Sequence, residues 1–309
     1  MENTSTTSQP VKHPAPARYR VIEGTLYARH TEPYAQDIKI HVLGHGHTEA
    51  TVQPRYGWSE VAQLAPSALN DAAMCEGNIF VDGAWVPYVQ TEAEKLDKLT
   101  RNRERSSRRA RTKVRRLCKN RGLSVMLTLT YRENMQDRSR MARDFDVFMK
   151  RVRRAIPDFQ YVCVFERQTR GAWHAHIAVP RVLSHYLHKG VLLRSYDFLR
   201  SLWRKVVGVD NGNVDVSRNK RVRRSAAKLA AYMAKYIGKG FESGDGEGDS
   251  YRSSGRDLPP PVVIRSLSPS GALACEHLLD LLSIELGGRC EFHHALLDGG
   301  GHYVSIFNK

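Results

Sequence analysis

The chain has 309 residues, 41% of them hydrophobic, and its 48 Lys and Arg against 32 Asp and Glu give a formal net charge of +16. No apolar run has the length of a membrane span, so we expect a protein with a substantial core and no membrane partner. The positive excess favours a polyanionic partner, nucleic acid first, with a merely basic cytosolic protein as the alternative. Five cysteines without a CxxC pair argue against a disulfide framework and a structural zinc site, and they fit a reducing cytoplasm.

The N-terminal part of the chain is predicted to be β-rich behind a polar tail. Residues 1–17 are rich in Ser, Thr and Pro and lack an apolar segment, which is typical of a disordered tail and not of a signal peptide. Residues 18–92 contain short β-branched and aromatic runs, so we expect a small β-rich region there. Asp82-Gly83 has the composition of a hairpin turn.

Residues 93–121 are strongly basic with sparse apolar residues, which predicts a basic helix that stops at Gly122. A run of charge is often only a solvated face of a helix. Few acidic residues offset the charge here, so we favour a role in holding nucleic-acid phosphates. The candidate DNA-binding residues of this helix are Arg108, Arg109, Arg111, Lys113, Arg115 and Arg116.

Residues 122–242 alternate between predicted strands and helices. Strands are expected in LSVMLTLTY (123–131), FQYVCVFERQ (159–168), WHAHIAV (173–179) and NVDVS (213–217), and helices over 139–155, 195–207 and SAAKLAAYMAKYIGKG (225–240). Residues 243–261 are rich in Gly, Ser, Asp and Pro, which predicts a flexible linker or loop. Residues 262–309 are predicted to form a C-terminal α/β extension.

Two histidines stand one residue apart in the predicted strand WHAHIAV. Side chains at i and i+2 of a strand share a face, so His174 and His176 lie side by side, like a two-toothed metal clamp. The alternate residues are apolar and can pack against helices, so we expect the clamp to face outward from the sheet. If TRGA (169–172) is a turn, Glu166 lies beside the pair, and two imidazoles with one carboxylate suit a divalent cation that keeps positions open for a phosphate.

The alternative is that the two histidines are only a surface pair. His45 and His47 have the same spacing in HVLGHGHTEA, but glycines flank them and no apolar continuation follows. We expect this second pair to lie in a loop and not to bind a metal.

Tyr232 and Tyr236 are four residues apart in the last predicted helix, so they share one face, with Lys235 beside them and Lys239 one turn later. Core tyrosines also have this spacing. A phenol is a poor nucleophile unless cations stabilise the phenolate, and the two lysines and a metal could do so together. Attack on a phosphodiester would conserve the bond energy in a phosphotyrosine, and the chain has no GxxxxGK[ST] loop for a nucleotide cofactor.

Three motifs in this order resemble those of the HUH endonuclease superfamily, and within it the two-tyrosine rolling-circle replication initiators (Rep) of small single-stranded-DNA phages and plasmids. LTLTY (127–131) resembles motif one, WHAHIAV resembles the His-hydrophobic-His motif two, and YMAKYIGK (232–239) resembles motif three. The resemblance covers about residues 120–242. Nothing is carried over from it to residues 1–90 or 258–309.

The resemblance implies an α+β fold with a central antiparallel sheet and flanking helices (HUH endonuclease, ferredoxin/RRM-like), with N- and C-terminal extensions. It implies that residues 122–242 are the HUH endonuclease catalytic domain. The metal would lie on one sheet face, with the tyrosine helix across it. His174 and His176, with Glu166 as third ligand, would bind Mg²⁺ or Mn²⁺.

The resemblance also implies a reaction. Tyr232 would nick single-stranded origin DNA and stay on the 5′ phosphate, Tyr236 would make the second attack, and Lys235 would stabilise charge. The DNA-binding set would include Lys239. The implied partners are single-stranded origin DNA and a host helicase and DNA polymerase, in the cytoplasm of a bacterial host cell.

Other functions stay open at this point. A non-catalytic basic nucleic-acid-binding protein would use the histidines structurally, and a metal nuclease would use activated water in place of tyrosine. A conjugative relaxase places its tyrosine before the histidine motif, unlike this chain, and an HUH transposase usually relies on one tyrosine and a shorter chain.

Overall fold

The computed structural model describes residues 19–22, 25–63, 78–81, 84–87, 91–217, 226–242, 251–255, 258–286, 290–297 and 300–308. Over these ranges it contains antiparallel sheets and five flanking helices, so the predicted α+β class is confirmed. None of the described helices is both long enough and apolar enough to span a bilayer. The predicted tail, residues 1–17, lies outside the described residues.

The bounds of the elements are as follows. The helices are α1 (Glu92–Asn120), α2 (Arg138–Ala155), α3 (Ser195–Val207), α4 (Ala226–Glu242) and α5 (Gly271–Leu286). The strands are β1 (Tyr19–Ile22), β2 (Thr25–Val42), β3 (His47–Gln63), β4 (Asn78–Val81), β5 (Ala84–Pro87), β6 (Val125–Tyr131), β7 (Val162–Arg167), β8 (Trp173–Val179), β9 (His185–His188), β10 (Val191–Arg194), β11 (Gly212–Ser217), β12 (Tyr251–Ser253), β13 (Val262–Ser266), β14 (Cys290–Leu297) and β15 (Gly301–Asn308).

Five antiparallel strands in the order β11-β6-β8-β7-β12 form one sheet, which we call the central sheet. Side chains alternate between its faces. Leu129, Phe165 and Ile177 point to one face, where Phe148 of α2 and Trp203 of α3 complete a buried core. The apolar row of WHAHIAV therefore packs against helices, as the sequence predicted.

The histidine-bearing face of the central sheet is also covered. Val164 and Ala178 on this face pack against Leu117 of α1 and against Leu229 and Met233 of α4. The prediction that the histidine pair faces outward from the sheet is therefore wrong: two helices bury it. The sequence did not show this because α1 carries so few apolar residues that it looked solvated.

Strands from both ends of the chain form a second sheet, which we call the terminal sheet. Its order is β1-β2-β3-β15-β14, and β13 also pairs with β2. Helix α5 packs on it, with Leu278 buried against Ile38, Val52 and Val304. Residues 25–63 and 262–308 thus share one core, a pairing that the sequence analysis did not predict.

Two local predictions in these regions have mixed outcomes. Strands β4 and β5 pair as the expected antiparallel hairpin, while the predicted turn Asp82-Gly83 lies outside the described residues. The predicted linker 243–261 contains a strand, since β12 pairs with β7 and Ser254 after it is buried. This part of the segment is a sheet edge and not a flexible loop.

Helix α1 is the basic helix that the sequence predicted. Thr91 begins it with a capping box, in which Glu94 N–H donates to the Thr91 hydroxyl and the Glu94 carboxylate accepts from Thr91 N–H. After its C-cap, Gly122 adopts φ +60°, a conformation that favours glycine, so the chain turns there into β6. The predicted stop at Gly122 is therefore confirmed.

Candidate functional site

Strand pairing places the predicted metal ligands together on the central sheet. Glu166 of β7 is directly opposite His174 of β8, and Thr128 of β6 is directly opposite His176. Residues opposite one another in an antiparallel pair share a face. The carboxylate, the two imidazoles and the threonine hydroxyl therefore lie on the face that α1 and α4 cover.

His176 is held at both ring nitrogens. Its Nε2 lies 2.8 Å from Glu166 Oε2, and its Nδ1 lies 3.2 Å from Thr128 Oγ1. The His176 and Glu166 side chains are only 7% and 12% exposed. The structure thus brings Glu166 beside the histidine pair, as the sequence predicted.

His174 has one engaged nitrogen and one without a partner. Nδ1 lies 3.1 Å from Gln168 Nε2, whereas the buried Nε2 has no hydrogen-bond partner among the described residues. Burial lowers the pKa of His174, with further lowering by His176 and Arg170, so its neutral form is favoured. A neutral imidazole with an unsatisfied buried nitrogen is the form that binds a cation.

The three side chains do not converge as closely as a bound metal requires. The ring centroids of His174 and His176 are 6.4 Å apart. In the described part of the chain, the one His, Cys, Asp or Glu set whose three ligand atoms all lie within 4.8 Å of one another is elsewhere, at Cys275, His294 and His302. The donor types of Glu166, His174 and His176 fit a divalent cation, but His174 Nε2 would have to move toward the other two ligands.

Helix α4 carries both tyrosines onto the histidine pair. The Tyr236 ring stacks on the His176 ring with centroids 4.2 Å apart and an interplanar angle of 13°. The Tyr236 hydroxyl donates a hydrogen bond to the Tyr232 hydroxyl, and the two rings meet edge to face at 4.9 Å. The predicted arrangement of a tyrosine helix across the metal face of the sheet is therefore what the structure has.

The sequence of α4 explains this placement. Leu229, Met233 and Ile237 are buried against the central sheet and α1, and they recur at helical spacing. Tyr232 and Tyr236 are one turn apart beside that apolar stripe; Tyr232 is half-buried and Tyr236 is 7% exposed. Lys235 is exposed, and Lys239 lies in α4 with its side chain outside the described part of the structure.

The basic residues of α1 divide into two groups. Arg108, Arg109 and Arg111 are exposed, and Lys113 is half-buried. A Cβ built on Gly238 of α4 would lie 3.8 Å from Arg111 Nη1, so this guanidinium is beside the tyrosine helix. The exposed arginines are available to an extended polyanion near Tyr232 and Tyr236.

Arg115 and Arg116 have another role. Both donate to the carboxylate of Glu49, whose side chain is fully buried, at 3.2 Å and 3.0 Å. Their side chains are 30% and 15% exposed. The structure thus assigns them first to an internal ion pair, which does not favour the prediction that they bind DNA.

Sequence reasoning missed two polar contacts of the site. Thr128 stands in the quoted motif LTLTY, and Gln168 follows Glu166 by two residues, so the strand period could have placed both beside the histidines. The predicted non-metal pair was judged correctly in part. His45 lies in a turn, but His47 begins β3, is buried, and stacks on Phe307 with centroids 4.6 Å apart.

Comparison with known families agrees with this geometry. Residues 124–241 match the model of a family of replication-associated proteins, described by the name ORF2. No curated protein and no solved structure matches the chain. The matched range contains Glu166, His174, His176, Tyr232 and Tyr236. Over residues 124–241 the chain is therefore a member of the ORF2 family of replication-associated proteins.

Proposed function

We propose that this protein initiates rolling-circle DNA replication as a site-specific, metal-dependent nicking and closing enzyme. The observation that carries the proposal is the stacking of Tyr236 on His176, with Tyr232 hydrogen-bonded to Tyr236. A pair of phenols directly above a pair of imidazoles and a carboxylate is an arrangement for attack on a phosphodiester. The match to a replication-associated family supports the biological setting.

The first step would be a transesterification at single-stranded origin DNA. The Tyr232 Oη attacks the scissile phosphorus, the phosphorus–O3′ bond breaks, and the departing O3′ takes up a proton. The products are a 5′-phosphotyrosine and a free 3′ hydroxyl. We assign the first attack to Tyr232 because it is half-buried, whereas Tyr236 is 7% exposed.

The second tyrosine would end the round. Tyr236 attacks the regenerated origin, and the 3′ hydroxyl released by that cut then attacks the phosphorus of the Tyr232 adduct. This attack displaces the Tyr232 phenol and closes the circle, so bonds are exchanged without nucleotide hydrolysis. Lys235, exposed on the same helix, would stabilise the negative charge during each transfer.

Glu166, His174 and His176 would hold Mg²⁺ or Mn²⁺, which when bound supplies Lewis-acid polarisation of the scissile phosphate. Thr128 and Gln168 would fix the orientation of the two imidazoles through their Nδ1 atoms.

DNA would approach along the exposed arginines of α1. Arg108, Arg109 and Arg111, with Lys239, would hold the phosphates of the strand that leads to the tyrosines. The free 3′ hydroxyl would then serve a host DNA polymerase, with a host helicase opening the duplex. With these partners, the proposed activity belongs in the cytoplasm of a bacterial host cell.

The test is covalent capture of DNA on tyrosine. The full chain is incubated with Mn²⁺ and single-stranded oligonucleotides tiled across the replicon that encodes it, and any peptide that gains a nucleotide is mapped by mass spectrometry. We expect adducts on Tyr232 or Tyr236. Each single change to Phe should leave some nicking, and Tyr232→Phe with Tyr236→Phe should abolish it while DNA binding persists.

Tyr186→Phe is the matched control, because Tyr186 is on β9 and packs against Phe198 on the other side of the central sheet. This variant should nick like wild type. Cleavage by the double variant would mean that the enzyme uses activated water. Binding without cleavage under any metal would mean a non-catalytic DNA-binding protein, and transfer of the strand to an unrelated target would indicate a transposase or relaxase.

A further inference from the structure

Three metal-ligating side chains meet in the terminal sheet, remote in sequence from the tyrosine site. Cys275 is on α5, His294 on β14 and His302 on β15, and one ligand atom of each lies within 4.8 Å of the others. His294 Nε2 is 2.9 Å from His302 Nδ1, and the two rings stack with centroids 5.2 Å apart. Nothing in the proposed replication chemistry uses these residues.

The local fold explains why they meet. In the β14–β15 hairpin His294 pairs with Val304 and Leu296 pairs with His302, so the two histidines are diagonal neighbours on one face. Val304 is buried in the core with Cys275, so this is the face on which α5 packs. A Cβ on Gly271 would lie 2.7 Å from His302 Nε2, and glycine at the start of α5 therefore makes room for the imidazole.

We propose that Cys275, His294 and His302 bind a zinc ion that fastens α5 to the β14–β15 hairpin. One thiolate with two imidazoles is a donor set that selects Zn²⁺ over the oxygen-preferring Mg²⁺ and Mn²⁺. Cys275 and His302 are buried and His294 is exposed, so a fourth position faces solvent and can take water.

The distances fit with a small adjustment. A tetrahedral Zn²⁺ with Zn–N near 2.05 Å and Zn–S near 2.3 Å separates two nitrogens by about 3.3 Å and nitrogen from sulfur by about 3.6 Å. The two imidazole nitrogens must therefore open by about 0.4 Å from their 2.9 Å separation, and the thiol must approach by at most about 1 Å. Rotation of the exposed His294 and of the Cys275 side chain suffices.

The chemistry of this set also separates it from the replication site. Glu166, His174 and His176 offer no sulfur, whereas the terminal-sheet site includes a thiol whose pKa is raised by burial. The thiol must lose its proton to bind, so zinc affinity should fall as the pH is lowered. A spectroscopic signal from metal-bound thiolate therefore reports on the proposed zinc site alone.

The test uses the full chain, stripped of metal by a chelator and titrated with Co²⁺ as a probe. We expect one equivalent of Co²⁺ to give a thiolate-to-cobalt absorption band with the visible bands of tetrahedral Co²⁺, and Zn²⁺ to displace it. His294→Ala, at an exposed position, should weaken Zn²⁺ binding at least tenfold. Cys275→Ser should remove the thiolate band, and both changes should remove the rise in melting temperature that Zn²⁺ gives the wild type.

Cys290→Ala and His293→Ala are the controls, because both residues are exposed on the same strand and His293 points to the opposite face from His294. Both should bind Co²⁺ like wild type. Equal Zn²⁺ affinity in His294→Ala and wild type, or a thiolate band in folded Cys275→Ser, would overturn the proposal. His294→Ala should also nick DNA at the wild-type rate with Mn²⁺, so failure of the zinc site and failure of the nicking function are distinguishable.

Discussion

Glu49 provides a quantitative test of how the basic helix is attached. Its fully buried carboxylate accepts hydrogen bonds from Arg115 at 3.2 Å, Arg116 at 3.0 Å and Lys119 at 2.8 Å, so three cations of α1 share one anion of the terminal sheet. Lys119 Nζ also donates to Ser305 Oγ at 3.0 Å. The network joins α1 to both β3 and β15.

The size of its contribution follows from the pKa. Burial by itself would raise the pKa of Glu49, but Arg115 and Lys119 outweigh burial and lower the pKa from 4.5 to about 2. This shift corresponds to roughly 3 kcal/mol of folding free energy at pH 7. Since the folded pKa is the lower one, the contribution is complete above the unfolded pKa of 4.5 and is lost as the pH falls toward 2. At pH 3 it should be about 1.4 kcal/mol.

We therefore expect Glu49→Gln to lower the free energy of unfolding by about 3 to 5 kcal/mol at pH 7, because it leaves Lys119, which is 6% exposed, without its anion. Urea denaturation at pH 7 and pH 3 measures the effect, which should shrink at the lower pH. Adding Lys119→Met should recover part of the loss, since an apolar side chain of similar length has no charge to desolvate.

Asp37→Asn is the matched control, because Asp37 is 32% exposed and forms its ion pairs with Arg55 and Arg265 at the surface. It should cost less than about 1 kcal/mol. If Glu49→Gln and Asp37→Asn cost the same, or if the Glu49→Gln effect does not change between pH 7 and pH 3, the assignment of the stability to the ionised Glu49 is wrong.

Three further predictions concern the exposed helix surface, the core and the metal site. Arg109→Ala with Arg111→Ala should weaken single-stranded DNA binding and reduce the slope of log affinity against log salt by about 1.4, measured by fluorescence anisotropy. Tyr131→Phe should lower the free energy of unfolding in urea by about 1 to 3 kcal/mol, because it removes a 2.7 Å hydrogen bond to a carboxylate on α2. Gln168→Ala should raise the Mn²⁺ concentration for half-maximal nicking about 10- to 100-fold, because His174 Nδ1 loses its contact, while metal-free DNA binding is unchanged.

Each of these has an outcome that contradicts it. Arg143→Ala, an exposed arginine on α2, should leave the salt slope intact, and an equal change there would assign the effect to net charge alone. An unaltered urea midpoint in Tyr131→Phe would show that its hydroxyl contributes nothing. Weaker metal-free DNA binding by Gln168→Ala would indicate a general disturbance of the site.

The parts of the site that the sequence predicted are those that depend on local periodicity. The i and i+2 spacing put His174 and His176 on one strand face, and the i and i+4 spacing put Tyr232 and Tyr236 on one helix side. Glu166 could be placed because a short turn fixes the pairing of two consecutive strands. These relations involve few residues and do not depend on the rest of the fold.

The parts that the sequence missed depend on contacts between distant segments. Nothing in the spacing of Glu49 indicates that its partners are Arg115, Arg116 and Lys119, because the pairing requires α1 to pack on the terminal sheet. The same holds for Cys275, whose possible ligand partners stand on two strands of a hairpin. An odd number of cysteines without a CxxC pair argued against zinc, although a single cysteine is enough when histidines from other elements complete the set.

Helix α1 shows why a basic segment should be divided before a role is given to it. Successive residues of a helix are 100° apart, so Val114 and Leu117 can pack against the tyrosine helix while Arg115 and Lys119 reach Glu49 on the terminal sheet. The C-terminal half of α1 is thus an internal connector between the two sheets, with its charge neutralised from inside. The charge that remains for DNA is on the exposed N-terminal half, and the rigid attachment of the other half holds that charge beside the tyrosines. A substitution at Glu49 should therefore disturb DNA positioning as well as stability, although Glu49 touches neither the DNA-facing arginines nor the catalytic helix.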